Sequence, residues 1–198
     1  DFACAYSSLT SVTIPDSVTS IGDFAFAGCL GLTSINVAVN NSIYSSYEGV
    51  LFDKNKTTLI QCPSGKTGDC IIPDSVTRIS THAFIFCTEL NGIVIPNSVT
   101  DIEDEAFFAC LTNIILPSNM TSINKNAFVE CTNSNIIVQD GNTNINGFNS
   151  DLAINLISFN SNTGTIEKCQ GAGRTLIIPS QINGVSVTDI GYKACFQN

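Results

Sequence analysis

The sequence is poor in charge and especially poor in basic residues. Only 13% of its 198 residues are charged, about half of the usual share, and Lys and Arg together number 8. Binding to nucleic-acid phosphates or to anionic membranes relies on clustered Lys and Arg. The formal net charge of −9 therefore argues against both kinds of partner.

Long apolar runs are missing as well. No apolar stretch reaches the roughly 18 residues that a membrane span requires, so we predict no direct membrane insertion. Hydrophobic residues still make up 43% of the chain, which is enough to bury a sizeable core. Ser, Thr and Asn supply the polar surface in place of charged side chains.

Motifs for catalysis and cofactor binding are not found. The single histidine, His82, lies beside Ser80 and Thr81, but nothing around it forms a catalytic triad. The acidic cluster at 101–105 lacks the DxDxDG order of a calcium loop, and the GKT at 65–67 lacks the spacing of a phosphate loop. We therefore predict a protein that is not an enzyme and needs no cofactor.

An internal repeat is the strongest signal that the sequence does contain. Four segments carry Pro, then Ile six residues later, Phe at eleven and Cys at fourteen. The segments are Pro15-Ile21-Phe26-Cys29, Pro73-Ile79-Phe84-Cys87, Pro96-Ile102-Phe107-Cys110 and Pro117-Ile123-Phe128-Cys131. A repeat of this length is typical of a solenoid, in which each unit buries its apolar face only by stacking on its neighbours.

Each repeat predicts one rung of the solenoid. LTSVTIP at 9–15 reads as a β-strand that Pro15 ends, and SVTSI at 17–21 crosses the rung. GDFAFAGC at 22–29 predicts a short helical turn with Phe26 and Cys29 directed inward. The predicted architecture is a β-rich repeat solenoid with short helical turns, stacked as a curved right-handed array with a parallel sheet on one face.

The repeat is not uniform along the chain. Pro15 and Pro73 are 58 residues apart, whereas Pro73 and Pro96 are 23 apart. Two alternating runs flank 53–56 in the extra stretch and predict a β-hairpin insert. We therefore predict an array over 1–138 with the hairpin insert at about 38–69. An irregular connection with a hairpin is predicted over 139–170, and a further repeat that is truncated over 171–198.

The repeats resemble those of the BspA-type leucine-rich-repeat proteins. The resemblance rests on LTSVTIPDSVTSIGDFAFAGC at 9–29, on CIIPDSVTRISTHAFIFC at 70–87 and on the insert YSSYEGVLFDKNKTTLIQCPSGKTG at 44–68. It implies a leucine-rich-repeat solenoid that is secreted or displayed on a cell surface. It also implies adhesion to a protein or glycan partner, such as host extracellular matrix or another cell. The family has no fixed binding residues to carry over.

The two ends of the sequence align with the middle of a rung. Asp1 to Cys4 aligns with Asp23 to Phe26, and Ile190 to Cys195 aligns with Ile21 to Phe26. We expect either a longer parent protein or ends that pair with other copies. The second expectation leads to an alternative function, a self-assembling structural protein that forms filaments or arrays through its solenoid ends.

The nine cysteines fall into groups with different expectations. Cys29, Cys87, Cys110 and Cys131 share one repeat position, where they can fill the core as small side chains or staple neighbouring rungs. Cys62 and Cys70 lie outside that ladder, and a disulfide between them would suit an extracellular protein. No Cys-x-x-Cys pair suggests a metal site.

One outward-facing slot in each strand predicts a candidate partner-binding stripe. The slot is polar at Thr13 and Asn36, and apolar in the later rungs. The apolar members are Ile71, Val94, Ile115, Ile137 and Ile177. An exposed apolar stripe favours a binding surface for a protein or a glycan. The alternative is that β-branched side chains simply suit strands.

Overall fold

The computed structural model describes residues 2–120, 123–132, 134–139, 155–171, 178, 181–182, 185–191 and 194. Within these residues there are sixteen strands and no helix. They are β1 (Ser11–Ile14), β2 (Ser34–Val37), β3 (Tyr44–Tyr47), β4 (Val50–Asp53), β5 (Thr58–Gln61), β6 (Gly68–Cys70), β7 (Arg78–Ile79), β8 (Leu90–Val94), β9 (Asp101–Ile102), β10 (Ile114–Leu116), β11 (Asn135–Gln139), β12 (Asn155–Asn160), β13 (Thr165–Gly171), β14 (Gln181–Ile182), β15 (Val185–Ser186) and β16 (Asp189–Ile190).

The strands form a β-solenoid of about seven turns, which confirms the predicted fold class. The principal sheet has the order β16-β13-β12-β11-β10-β8-β6 and is parallel from β6 to β12. β1 and β2 continue the array as a separate parallel pair. The opposite wall is a five-stranded sheet of order β3-β4-β5-β7-β9.

The main core lies between the two walls and extends through the regular rungs. Leu59, Ile79 and Ile102 enter it from the five-stranded sheet, while Ile93 and Ile114 enter it from the principal sheet. The repeat phenylalanines stack between the walls, with ring centroids 5.0 Å apart for Phe84 and Phe107 and 5.2 Å apart for Phe107 and Phe128. Each rung thus buries its face against the next rung.

The turns that follow each crossing are not helical, which corrects the expectation for GDFAFAGC and its equivalents. Two residues in each of several turns have positive φ, such as His82 (58°) and Phe86 (55°) in one rung. This left-handed backbone interrupts a helix. The N–H groups of Phe84 and Phe86 instead donate sideways to the next rung, to the carbonyls of Ala106 (2.7 Å) and Phe108 (3.0 Å). Stacking therefore replaces the hydrogen bonds that a helix would supply.

The insert is an antiparallel unit that passes into the interior. β3 and β4 form a hairpin whose tip residues Glu48 and Gly49 both have positive φ, as a two-residue type I′ turn requires. Val50 and Phe52 of β4 belong to the main core. Leu51, on the opposite face of β4, belongs to a separate N-terminal core formed by the first rungs. β4 is therefore buried on both faces and divides the interior in two.

Polar contacts fasten the insert to the first rungs. The fully buried Asn41 donates through Nδ2 to the carbonyls of Pro15 (2.8 Å) and Val18 (2.9 Å). Its Oδ1 accepts from the N–H groups of Ile43 (2.9 Å) and Tyr44 (2.8 Å). All four bonds satisfy a buried amide, so this residue fixes where the insert leaves the array.

The insert rejoins the array at a close backbone approach. A Cβ on Gly65 would collide with the carbonyl oxygen of Leu30, and the Gly65 N–H donates to the carbonyl of Leu32 (2.9 Å). The GKT stretch that begins at Gly65 connects β5 of one wall to β6 of the other. It is therefore a crossing between the two sheets.

Candidate binding surface on the outer face of the sheet

The outward slots of the strands align across the principal sheet. Val94 pairs with Ile115, which pairs with Ile137, and Ile137 pairs with Ile157 of β12. Their side chains therefore lie in one row across neighbouring strands. Thr13 and Asn36 occupy the same slot in the separate β1-β2 pair.

Exposure changes sharply along this row. Ile71 is 57% exposed and Val94 is 41% exposed, whereas Ile115 is 9% exposed and Ile137 is 1% exposed. The expectation of an exposed stripe is therefore wrong for Ile115 and Ile137, and it holds for Ile71 and Val94. Ile177 lies outside the described residues.

Ile115 and Ile137 are buried because a later part of the chain packs onto them. They belong to an outer cluster on the solvent side of the principal sheet. Its other buried members are Ile157, Phe159, Ile166, Ile182 and Ala194, and the partly buried residues packed against it are Cys169, Ile178, Val185 and Val187. We call the described residues from Ile178 to Val187 the cover, since their apolar side chains belong to the outer cluster over β10, β11 and β12, whereas β16, which follows them, is an edge strand of the principal sheet.

The cover stops short of the first strands of the principal sheet and leaves a groove of about 1090 Å³ there. Ile71, Gly92 and Val94 lie in this groove, and Gln181 of the cover also lines it. The remaining lining residues are Asp69, Cys70, Ile72, Asp74, Asn91, Ile95, Pro96, Asn97 and Ser98. The open part of the apolar row is therefore a bounded depression between the end of the cover and the β6 edge of the sheet.

The polar groups of the groove are acidic or neutral. Asp69 lies just before the exposed Ile71 and Asp74 just after it, and both carboxylates belong to exposed residues. Asn91 donates through Nδ2 to Oδ1 of Asp69 at 3.2 Å. No lysine, arginine or aromatic side chain is present among the described residues that line the groove. The groove thus combines an aliphatic floor with two carboxylates.

A comparison with known families decides what kind of repeat this is. The sequence profile described as a BspA type leucine-rich repeat region matches residues 1–68 and 64–170, with six copies. The chain belongs to the BspA-type leucine-rich-repeat family. The recognition made from the sequence is confirmed, and the matched region extends through β12 and into β13.

Solved structures of bacterial repeat proteins are similar to this BspA-type chain. A leucine-rich repeat protein from Eubacterium ventriosum is 27% identical, with a TM-score of 0.61, and the match covers 94% of this chain and 49% of that one. A leucine rich cell surface protein from Faecalibacterium prausnitzii is 28% identical, with a TM-score of 0.44, and covers 72% and 51%.

A third match, the pneumococcal vaccine antigen PcpA, is 17% identical, with a TM-score of 0.44 and coverage of 71% and 55%. The chain therefore spans about half the length of the solved structures that it matches. No curated protein matches it at a significant level.

The cysteine ladder of the BspA-type repeats fills the core. Cys29, Cys87, Cys110 and Cys131 are buried and carry free thiols. Their Sγ atoms donate to carbonyls of neighbouring rungs, for example Cys110 to Cys87 at 3.2 Å and Cys131 to Phe107 at 2.8 Å. Burial raises the pKa of Cys131 to about 12, which keeps the thiol protonated and unreactive. These observations favour core filling over stapling.

Cys62 and Cys70 lie close together, as the predicted disulfide between them would need. Their Sγ atoms are 4.0 Å apart, and both thiols are buried and free in this structure. The hydrogen bond with Cys70 lowers the pKa of Cys62, but the hydrogen bond with Cys87 and burial together leave that pKa well above the usual value. The hydrogen bond with Cys62 and burial raise the pKa of Cys70. Cys169, by contrast, is disulfide-bonded.

The histidine and the acidic cluster have partners within the solenoid. His82 contacts the ring of Phe24, with centroids 4.0 Å apart, and its Nε2 is 2.8 Å from Oε2 of Glu105. Arg78 lies 3.2 Å from both Asp101 and Glu103. Among the described residues no group of three or more side chains is arranged to hold a metal ion. That part of the chain also has no helix with the length and hydrophobicity of a membrane span.

Sequence reasoning missed the residues that cover the outer face. Ile157 and Phe159 alternate with Ser158 and Asn160 in β12, and Ile157 continues the outward row beyond Ile137. Ile182 and Val185 flank Asn-Gly, which is a strong hairpin signal, and β14 and β15 do pair in antiparallel fashion. Both signals were present, but neither shows which part of the sheet the hairpin packs against.

Proposed function

We propose that this chain is a non-enzymatic binding module of a secreted or surface-displayed protein, and that it recognises a protein or glycan partner through the groove around Ile71 and Val94. The exposed apolar row in this groove carries the proposal. Contiguous apolar surface that a chain leaves open is uncommon on monomers and marks sites of interaction. Ile115 and Ile137 support the proposal by contrast, because the same row is covered wherever the cover reaches it.

Two further observations support the location and the absence of catalysis. The disulfide at Cys169 suits an oxidising compartment outside the cytosol. The single histidine of the sequence is engaged by Glu105 and Phe24 and is not among the described residues that line the groove. Binding rather than chemistry is the function that these residues favour.

The proposal is tested by adding carboxylates to the groove. The variant carrying Ile71→Glu and Val94→Glu should lose at least about tenfold in affinity, because two desolvated carboxylates would oppose an apolar contact. Affinity is measured for the immobilised chain against extracellular matrix proteins, purified glycans and whole cells.

The matched control carries Thr13→Glu and Asn36→Glu, which occupy the same slots on the paired strands β1 and β2. It should bind as the unmodified chain does. Equal binding by the groove variant and the unmodified chain would remove the groove as the binding surface. A molecular mass that rises with protein concentration and falls in the groove variant would instead show that the groove joins copies of this chain.

A further inference from the structure

The part of the outer face that the cover occupies indicates which kind of segment can bind to the open part. The cover presents Ile182, Val185 and Val187 to the outer cluster, and its strands β14 and β15 are extended segments with aliphatic side chains. They lie over the same row of β-branched residues that continues into the groove at Val94. The chain thus uses an extended aliphatic segment as the occupant of this face.

The groove continues that covered face without a break. Ile115 under the cover pairs with Val94 in the groove, and Gln181 at the start of β14 lines the groove itself. An occupant of the groove would therefore lie beside the cover on the same sheet surface. The aliphatic floor would take β-branched or aliphatic side chains, as the covered part does.

The two carboxylates on either side of Ile71 in the sequence define the rest of the occupant. Asp69 lies in β6 and Asp74 lies in the turn after Pro73, five residues further on, so their Cα atoms are at most ~18 Å apart. No basic side chain lines the groove among the described residues, and the whole chain carries a net charge of −9. Cationic side chains on either side of a short aliphatic stretch would complement these carboxylates.

The residues that line the groove also favour a polypeptide over a sugar or a nucleobase as its ligand. No aromatic ring is present among the described residues around the groove, so a sugar or a nucleobase finds no ring to stack on. An extended polypeptide, in contrast, presents alternate side chains to one face and can place aliphatic groups on Ile71 and Val94.

We propose that the groove binds an extended polypeptide segment of a partner in which aliphatic or β-branched residues lie between Lys or Arg residues. This inference rests on the proposed function and specifies the partner of the same site. Ile71 and Val94 contact the apolar side chains, and Asp69 and Asp74 bind the cationic flanks.

The test uses a fluorescent synthetic peptide in which valine alternates with threonine between two terminal lysines, titrated with the full chain by fluorescence anisotropy. Binding is expected for this peptide and lost when both lysines are replaced by glutamate. The variant carrying Asp69→Asn and Asp74→Asn should bind the lysine peptide roughly fivefold more weakly and lose most of the salt dependence of binding. The Thr13→Glu, Asn36→Glu control should bind the peptide unchanged.

The outcomes separate this inference from the proposed function. If the lysine and glutamate peptides bind equally, or if neither binds, the inference is overturned. If the Ile71→Glu, Val94→Glu variant still loses a protein or glycan partner that the lysine peptide does not displace, the groove remains a binding surface and only the assignment of its occupant is wrong. If that variant keeps every partner, the proposed function fails, and the inference fails with it.

Discussion

The two faces of the principal sheet differ in how their apolar residues are covered. The inner face is covered by the repeats themselves, through the opposite wall and the neighbouring rungs, so the stacked phenylalanines and the free cysteines are buried in every regular rung. The outer face is covered by a distant segment that reaches only some strands, which leaves Ile71 and Val94 open and buries Ile115 and Ile137. The repeat therefore determines burial on the inner face, whereas the C-terminal cover determines it on the outer face.

The strongest test of this comparison introduces a glutamate at two equivalent positions of the outward row, one of which is covered and the other open to solvent. Ile137→Glu should cost at least about 4 kcal/mol of stability or prevent folding, because it buries a carboxylate without a partner. Val94→Glu should cost about 1 kcal/mol or less, because its slot is open to solvent. Urea denaturation followed by circular dichroism measures both.

A pair of alanine substitutions at the same positions tests this comparison if the Ile137→Glu variant does not fold. Ile137→Ala should cost about 2–4 kcal/mol and leave a cavity under the cover. Val94→Ala should cost less than about 1 kcal/mol, since little area is lost from a solvated site. Similar losses at the two positions would mean that the cover does not bury the row in solution.

The inner face is tested by truncating one member of the phenylalanine stack. Phe107 lies between Phe84 and Phe128, so Phe107→Ala should cost about 3–5 kcal/mol and weaken the contacts of two neighbouring rungs. Phe86 is only half-buried, in an edge contact with Phe108, and Phe86→Ala serves as the smaller control. A loss at Phe107 no larger than that at Phe86 would contradict a continuous inner core.

The same distinction explains which parts of the molecule could be predicted from sequence. Local spacing determines the strand slots, the positions of the phenylalanines and cysteines, and the β4-β5 hairpin around Asp53. Each of these features can be recognised within a short stretch of the sequence. The burial of Ile115 and Ile137 depends on Ile182 and Val185, which lie far away in the sequence, and no periodicity encodes that contact.

The path of the insert through the interior could not be predicted from the sequence either. Val50, Leu51 and Phe52 form a short apolar run that suits a strand buried on both faces, but a run alone does not show that it separates two cores. The turns were misjudged for a related reason. Their helix-like composition does not reveal that neighbouring rungs take up the N–H groups of Phe84 and Phe86.

The exclusion of water from the inner face can be measured through the titration of its buried thiols. Burial raises the pKa of Cys131 from 9.0 to about 12. The unfolded chain loses this proton near pH 9 while the folded chain retains it, so its contribution to stability is complete below pH 9 and is lost as the pH rises towards 12. The loss should approach about 1.4 kcal/mol per pH unit within that window.

The Cys131→Ala variant should reduce the slope of this part of the stability profile, to which the other buried thiols also contribute, measured as urea midpoints between about pH 8 and pH 11. Cys4→Ala, at a half-buried thiol, is the control for the loss of a cysteine side chain as such. Tyrosine and lysine titration is common to all three proteins and cancels in the comparison. A profile that keeps its slope without the Cys131 thiol would show that water reaches the inner face, and the contrast between a self-covered inner face and a partly covered outer face would then not hold.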